Sequence, residues 1–116
     1  MALAILVGYL LFLSSLSLFS FGQIPSLGTE FDDKLNHFLA HGLLTLLAYN
    51  YFRLTSLKNI ILLSLSTSAV YGIIIELLQL TVTTERTFDF FDMLANLLGA
   101  LSAIFLLKIK DFIKLN

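Results

Sequence analysis

Four long apolar runs, each ended by charges or turn residues, constrain this chain more than any other feature. They are Ala2 to Phe21, Leu35 to Phe52, Ile60 to Val82, and Phe88 to Leu107. Each is near the roughly 20 residues that a helix needs to cross about 30 Å of hydrocarbon. The composition agrees, with 58% hydrophobic and 13% charged residues and a mean hydropathy of +0.92. Soluble domains hold about 45–50% apolar and about 25% charged residues. A chain of 116 residues cannot hide such an excess in one small core. The expected fold is all-α, a single four-helix transmembrane domain over 1–116 with helices at about 2–21, 34–52, 59–82 and 88–108. The first run is expected to remain a helix, since it has neither the basic flank nor the A-x-A site of a signal sequence.

Charge and cysteine content remove several function classes. A formal net charge of -1 excludes a strongly basic nucleic-acid binder. The absence of cysteine excludes disulfides, thiolate metal sites and a thiol nucleophile.

Positive charges set the orientation. Arg53, Lys58, Lys108, Lys110 and Lys114 fall on one side of a four-span topology, and Lys34 and Arg86 on the other. The positive-inside bias therefore predicts that both termini are cytoplasmic. Gly22 and Pro25 to Gly28 read as the break after the first helix. Asp32 or Asp33 suits the N-cap of the second, and Thr87 or Asp89 that of the fourth.

The polar residues inside the runs recur at helical spacing. Asp33, His37, His41 and Thr45 form one stripe, and Ser64, Ser68, Gly72, Glu76 and Gln79 another. Asp92 and Asn96 adjoin Ala95, Gly99 and Ala103, a small-residue face suited to close helix approach. Polar groups are costly in lipid, so the three faces are expected to meet in the interior. The topology puts Asp33, Lys34, His37, Glu76, Gln79, Arg86, Asp89, Asp92 and Asn96 at the extracytoplasmic end. At about 1.5 Å rise per residue, most of them fall within roughly 12 Å of that interface.

The same residues carry a family resemblance. D-K-L-N-H-F-L-A-H at Asp33 to His41, Y-G-I-I-I-E-L-L-Q at Tyr71 to Gln79 and R-T-F-D-F-F-D-M-L-A-N-L-L-G at Arg86 to Gly99 resemble the VanZ-like family of small membrane proteins. His41 stands where that family often has tyrosine, and the loop T-V-T-T-E before Arg86 lacks its common Pro-Gly. The resemblance implies a multi-pass protein of the bacterial cytoplasmic membrane with a role at the cell envelope. The founding member is linked to lowered sensitivity to teicoplanin-type glycopeptides, but the motif supplies no reaction.

Three readings of the polar cluster follow. It can be a structural network that locks the helices in register. It can be a binding pocket in which Lys34, His37 and Arg86 hold an anionic lipid head group or lipid-linked cell-wall intermediate, with Arg86 clasping phosphate through paired donors. It can be catalytic, with His37 as a general base and Asp89 and Asp92 as an acid pair or ligands for a hard metal. The structural network heads the readings of the cluster itself, and binding, with a possible effect on glycopeptide sensitivity, heads the functional ones. The runner-up is an accessory or scaffolding subunit of a larger membrane assembly. No cofactor is expected and no metal site is assigned, because the two histidines and the acids match no recognised zinc spacing. Phe88, Phe90 and Phe91 read as an interfacial aromatic belt, as do Tyr49 and Tyr51 at the other end.

Overall fold

The computed structural model describes residues 1–19, 30–82 and 90–115. They form α1 (Ala2–Phe19), α2 (Glu30–Phe52), α3 (Ile60–Val82) and α4 (Phe90–Leu115). The described residues contain no strand.

Two helix bounds differ from the sequence reading. α2 starts at Glu30, not near residue 34, so Asp32 and Asp33 lie within its first turn and neither is its N-cap. The sequence reading took the acidic residues as the boundary, but a charged residue is as compatible with the first turn of a helix as with its cap. α4 runs on to Leu115, past the expected stop near residue 108. Lys108, Lys110 and Lys114 are good helix formers, and Lys114 suits the negative dipole end. Loss of apolarity marks where hydrocarbon would end, but a helix need not stop there. The turn at Gly22 and Pro25 to Gly28, and the cap at Thr87 or Asp89, lie outside the described residues.

The connection between α2 and α3 is compact. The Thr55 hydroxyl donates to the Phe52 carbonyl at 2.6 Å and accepts from the Leu57 N–H at 3.3 Å. Arg53 Nε donates to Asn50 Oδ1 at 3.0 Å. Asn59 holds a φ of 58°, a left-handed conformation that asparagine tolerates better than most residues. Its carbonyl accepts the Leu63 N–H at 3.0 Å and so opens α3.

α2 is the central helix. It packs most extensively on α4, then on α3 and α1, whereas α1 and α4 do not touch among the described residues. Paired positions give the directions. Lys34 meets Asp92 and His37 meets Asn96, so α2 and α4 run parallel. His41 meets Ser68 and also lies against Gly72. Tyr9 reaches Ala40, while Leu6 clusters with Leu44 and Ala48. α1 and α3 thus run opposite to α2, giving an up-down-up-down bundle.

The closest approach is between α2 and α4. A Cβ on Gly99 would lie 2.0 Å from the Phe38 carbonyl oxygen, and one on Gly42 would lie 3.3 Å from that of Gly99. Ala95, Ala100 and Ala103 are buried along the same helix. This is the small-residue seam expected from the sequence, with backbones in contact where side chains are absent.

Polar residues share the interior with small and apolar ones, while many large apolar residues face outward. His41, Thr45, Ser64, Ser68, Glu76, Gln79, Asp92 and Asn96 are buried, whereas Leu11, Phe12, Leu62, Phe105, Leu106 and Phe112 are exposed. Two interior hydroxyls are satisfied within their own helices: Thr45 donates to the His41 carbonyl at 2.8 Å and Ser64 to that of Ile60 at 2.7 Å. Among the described residues, Ile60–Thr81 and Phe90–Lys114 are long and apolar enough to cross a membrane, and Ala2–Leu16 is a shorter apolar stretch.

Candidate functional site

The interior of the bundle holds an apolar cluster in one half and a polar group at the opposite end. Leu6, Leu44 and Ala48 form a buried cluster against which Tyr9, Tyr51, Phe52 and Tyr71 pack. Tyr51 therefore rests partly on the core and on Phe52, with ring centroids 5.3 Å apart, beyond the purely interfacial place expected for it. The polar end is built by the start of α2, the end of α3 and the start of α4.

Lys34 Nζ donates to Asp92 Oδ1 at 2.6 Å, bridging α2 and α4. Asp92 lies in the first turn of α4, where the helix dipole favours a carboxylate. Lys34 sits near the start of α2, where the same dipole disfavours an ammonium, so Asp92 explains its placement. One turn further along both helices, His37 Nδ1 lies 3.0 Å from Asn96 Oδ1. The amide oxygen can only accept, so Nδ1 carries the proton and donates. His37 Nε2 then faces Asp92 Oδ2 at 3.6 Å. Glu76 and Gln79, 4% and 3% exposed, close this group from α3. His41 lies deeper, sharing a 2.8 Å hydrogen bond between its Nδ1 and Ser68 Oγ. It is an interior histidine on the α2–α3 contact.

The structure thus brings together Lys34, His37, Glu76, Gln79, Asp92 and Asn96. Asp33 is placed by its backbone in the first turn of α2. Arg86 and Asp89 lie outside the described residues.

Beside this group is a cavity of about 500 Å³ between α1, α2 and α3. Phe12, Leu13, Leu16 and Leu43 give it apolar walls, while His37, Glu76, Gln79 and Asn96 supply a polar patch. Sequence reasoning missed the contribution of α1. The Tyr9 hydroxyl donates to the Ala40 carbonyl at 2.8 Å. Ser14 Oγ donates to the Leu10 carbonyl at 2.8 Å, and it lies 3.0 Å from the Tyr71 hydroxyl, which donates to it in turn. These bonds hold α1 as the cavity's outer wall. Single hydroxyls in an apolar run have no periodicity that could have announced them.

The sequence put His37, Glu76 and Asp92 in one polar cluster but did not single them out as a group in mutual reach. One donor atom from each lies within 4.8 Å of the others. The three come from three helices, so no spacing along the chain encodes the group.

Comparison with known proteins gives a consistent picture. The VanZ/LLP1 family profile matches residues 2–111. The chain is similar to Uncharacterized protein C11E3.10 of Schizosaccharomyces pombe, with 39% identity over 85 residues that cover 73% of this chain and 52% of the relative. The chain thus spans about half the length of the curated relative it matches. No solved structure matches it.

Proposed function

This chain belongs to the VanZ/LLP1 family, and from that premise we propose that it is a multi-pass membrane protein that binds the anionic head group of an envelope lipid or lipid-linked intermediate. One observation carries the reading: an apolar cavity of about 500 Å³ opens beside a polar, hydrogen-bonding cluster, in which the Lys34 ammonium meets the carboxylate of Asp92, inside a bundle with an apolar exterior. An amphiphile has this shape in reverse, with chains for the cavity wall and a head group for the polar end. Lys34, His37 and the nearby α2 and α4 N-termini favour an anion there. Arg86 follows the third helix in sequence and is the residue type whose paired donors suit phosphate. Similarity to a fission-yeast protein favours a ligand chemistry that eukaryotic membranes also hold over one confined to the bacterial wall. An effect on glycopeptide sensitivity would be a secondary consequence of handling such a lipid.

Native mass spectrometry of the gently extracted protein, with lipid identification, tests this reading. Wild type is expected to retain an anionic lipid. Arg86→Ala is expected to weaken retention about tenfold to a hundredfold, as loss of charge-assisted hydrogen bonds implies, and Arg86→Lys to weaken it less. Equal retention by Arg86→Ala and wild type would refute the anion site.

Orientation has a separate test. In the proposed topology the polar end faces the extracytoplasmic side and both termini lie in the cytoplasm. Ser26→Cys, introduced into a chain without cysteine, is expected to react with an impermeant thiol reagent added to intact cells. Reaction only after permeabilisation would reverse the orientation.

A second reading is favoured by α1. This helix touches α2 and α3 but not α4 among the described residues, and a Cβ on Gly8 would meet nothing within 4 Å. Its apolar outer face suits a partner helix in a larger assembly. A lipid-free protein that travels with a second membrane protein in the same measurement would favour that reading.

A further inference from the structure

We propose that His37, Glu76 and Asp92 bind one divalent transition-metal ion of mixed nitrogen and oxygen preference, Mn²⁺ or Zn²⁺. The proposal stands apart from lipid binding, because the ion is expected to bind without lipid.

Proximity is the first support. One ligand atom from each of the three residues lies within 4.8 Å of the other two. Ligand atoms sharing an ion lie about 3–4 Å apart, so side-chain rotations that move each inward by about an ångström close the site. Glu76 is 4% and Asp92 6% exposed, so these are not the solvated acids of an ordinary surface.

The orientation of the donors is the second, independent support. A metal-binding histidine usually donates its other ring N–H to a neighbouring acceptor, which fixes ring and tautomer. His37 does this: Nδ1–H is given to Asn96 Oδ1 at 3.0 Å, and Nε2 faces Asp92 Oδ2 at 3.6 Å. Asp92 is held in the same way. Its Oδ1 accepts from Lys34 at 2.6 Å, and Oδ2 is the atom turned toward the imidazole. Both donors are thus anchored through the atom that a metal would not use. Gly72 on α3 leaves room for the amide of Asn96: a Cβ there would lie 3.1 Å from Asn96 Nδ2.

Donor chemistry selects the ion. An imidazole with two carboxylates suits Mn²⁺, Fe²⁺ or Zn²⁺, whereas Ca²⁺ and Mg²⁺ prefer oxygen alone. Two carboxylates balance the charge of a divalent ion. Three protein ligands leave coordination positions open, as in catalytic rather than structural sites. His37 and Glu76 both line the cavity, so those positions would face it.

The test uses the full chain in detergent, stripped with chelator and titrated with Mn²⁺ followed by electron paramagnetic resonance, and with Zn²⁺ by calorimetry. One ion per chain is expected. His37→Ala, Glu76→Gln and Asp92→Asn should each lower affinity at least tenfold. Asn96→Ala, which removes only the outer partner of His37, should lower it about tenfold to a hundredfold. His41→Gln should leave it unchanged. Circular dichroism and size-exclusion profiles establish that each variant is folded.

A gain of signal guards against variants that fail to fold. The chain has no cysteine, so Co²⁺ added to His37→Cys should produce a thiolate charge-transfer band that wild type lacks. Failure of folded wild type to bind Mn²⁺ or Zn²⁺ at millimolar concentration would overturn the proposal. So would binding that survives all three ligand substitutions, which would place the ion elsewhere.

Discussion

Gly99→Ala is expected to destabilise the bundle by about 3 kcal/mol, the upper part of the usual range for overpacking. The added Cβ would lie 2.0 Å from the Phe38 carbonyl oxygen, 2.9 Å from its carbonyl carbon and 3.1 Å from its Cα. All three atoms are backbone, so no rotamer change relieves the overlap. α2 and α4 must move apart by more than an ångström, and theirs is the most extensive helix contact in the molecule. The same movement would stretch the Lys34–Asp92 and His37–Asn96 bonds, which span the same pair of helices. Gly8→Ala is the matched control. Its Cβ would meet nothing within 4 Å, so only helix propensity remains, neutral or stabilising by up to about 1 kcal/mol. Unfolding of the detergent-solubilised protein by SDS, followed by far-ultraviolet circular dichroism, measures both variants. Equal stability of Gly99→Ala and wild type would mean that the two backbones are not in contact.

That contact shows what kind of information this sequence carries. In a chain so rich in leucine and phenylalanine, apolar residues say little about which face is interior. The scarce polar and small residues say more. His41 and Thr45 in α2, Ser64 to Gln79 in α3, and Asp92 to Ala103 in α4 each recur at three- or four-residue spacing, and each of these stripes is buried. Four apolar runs were enough for the number and order of helices. Three features were not legible. The ends of α2 and α4 were misplaced because charged residues at a helix terminus can continue the helix as easily as stop it. The seat of α1 depends on Tyr9 and Ser14, isolated groups in a featureless run. The sequence placed His37, Glu76 and Asp92 in one cluster, but their close mutual approach joins three helices, so only tertiary structure sets it.

α1 also explains how one small bundle can combine a stable core with an open site. At the apolar cluster Leu6 is 5% exposed and packs on Leu44 and Ala48, both fully buried. Toward the polar end the cavity intervenes between α1 and its neighbours, with Phe12 and Leu16 on its wall. α1 is therefore anchored at one end and spaced away at the other. This arrangement leaves room beside His37 and Glu76 without loosening the α2–α4 seam that orients His37.

Asp92→Asn is expected to destabilise the protein by about 2–3 kcal/mol, and its effect should depend on Lys34. Asp92 has 8% of its side chain exposed and Lys34 has 26%. Removing one partner of a fully buried ion pair costs about 3–5 kcal/mol, because the remaining charge keeps its desolvation penalty. Partial exposure of Lys34 lets water and salt offset some of this, which lowers the expected value. Asp92→Asn also removes a favourable interaction with the α4 dipole, a contribution of about 0.5 kcal/mol that does not depend on Lys34. Lys34→Met should cost less, because the carboxylate left behind keeps the helix N-terminus and His37 nearby. In the double variant no charge remains to be desolvated, so its loss should be smaller than the sum of the single losses by at least about 1 kcal/mol. SDS unfolding of the four proteins closes the cycle. Additive losses would mean that the 2.6 Å contact contributes nothing of its own. A coupling that persists at high salt would instead identify a pair shielded from solvent, as expected for a bridge on the interior seam between α2 and α4.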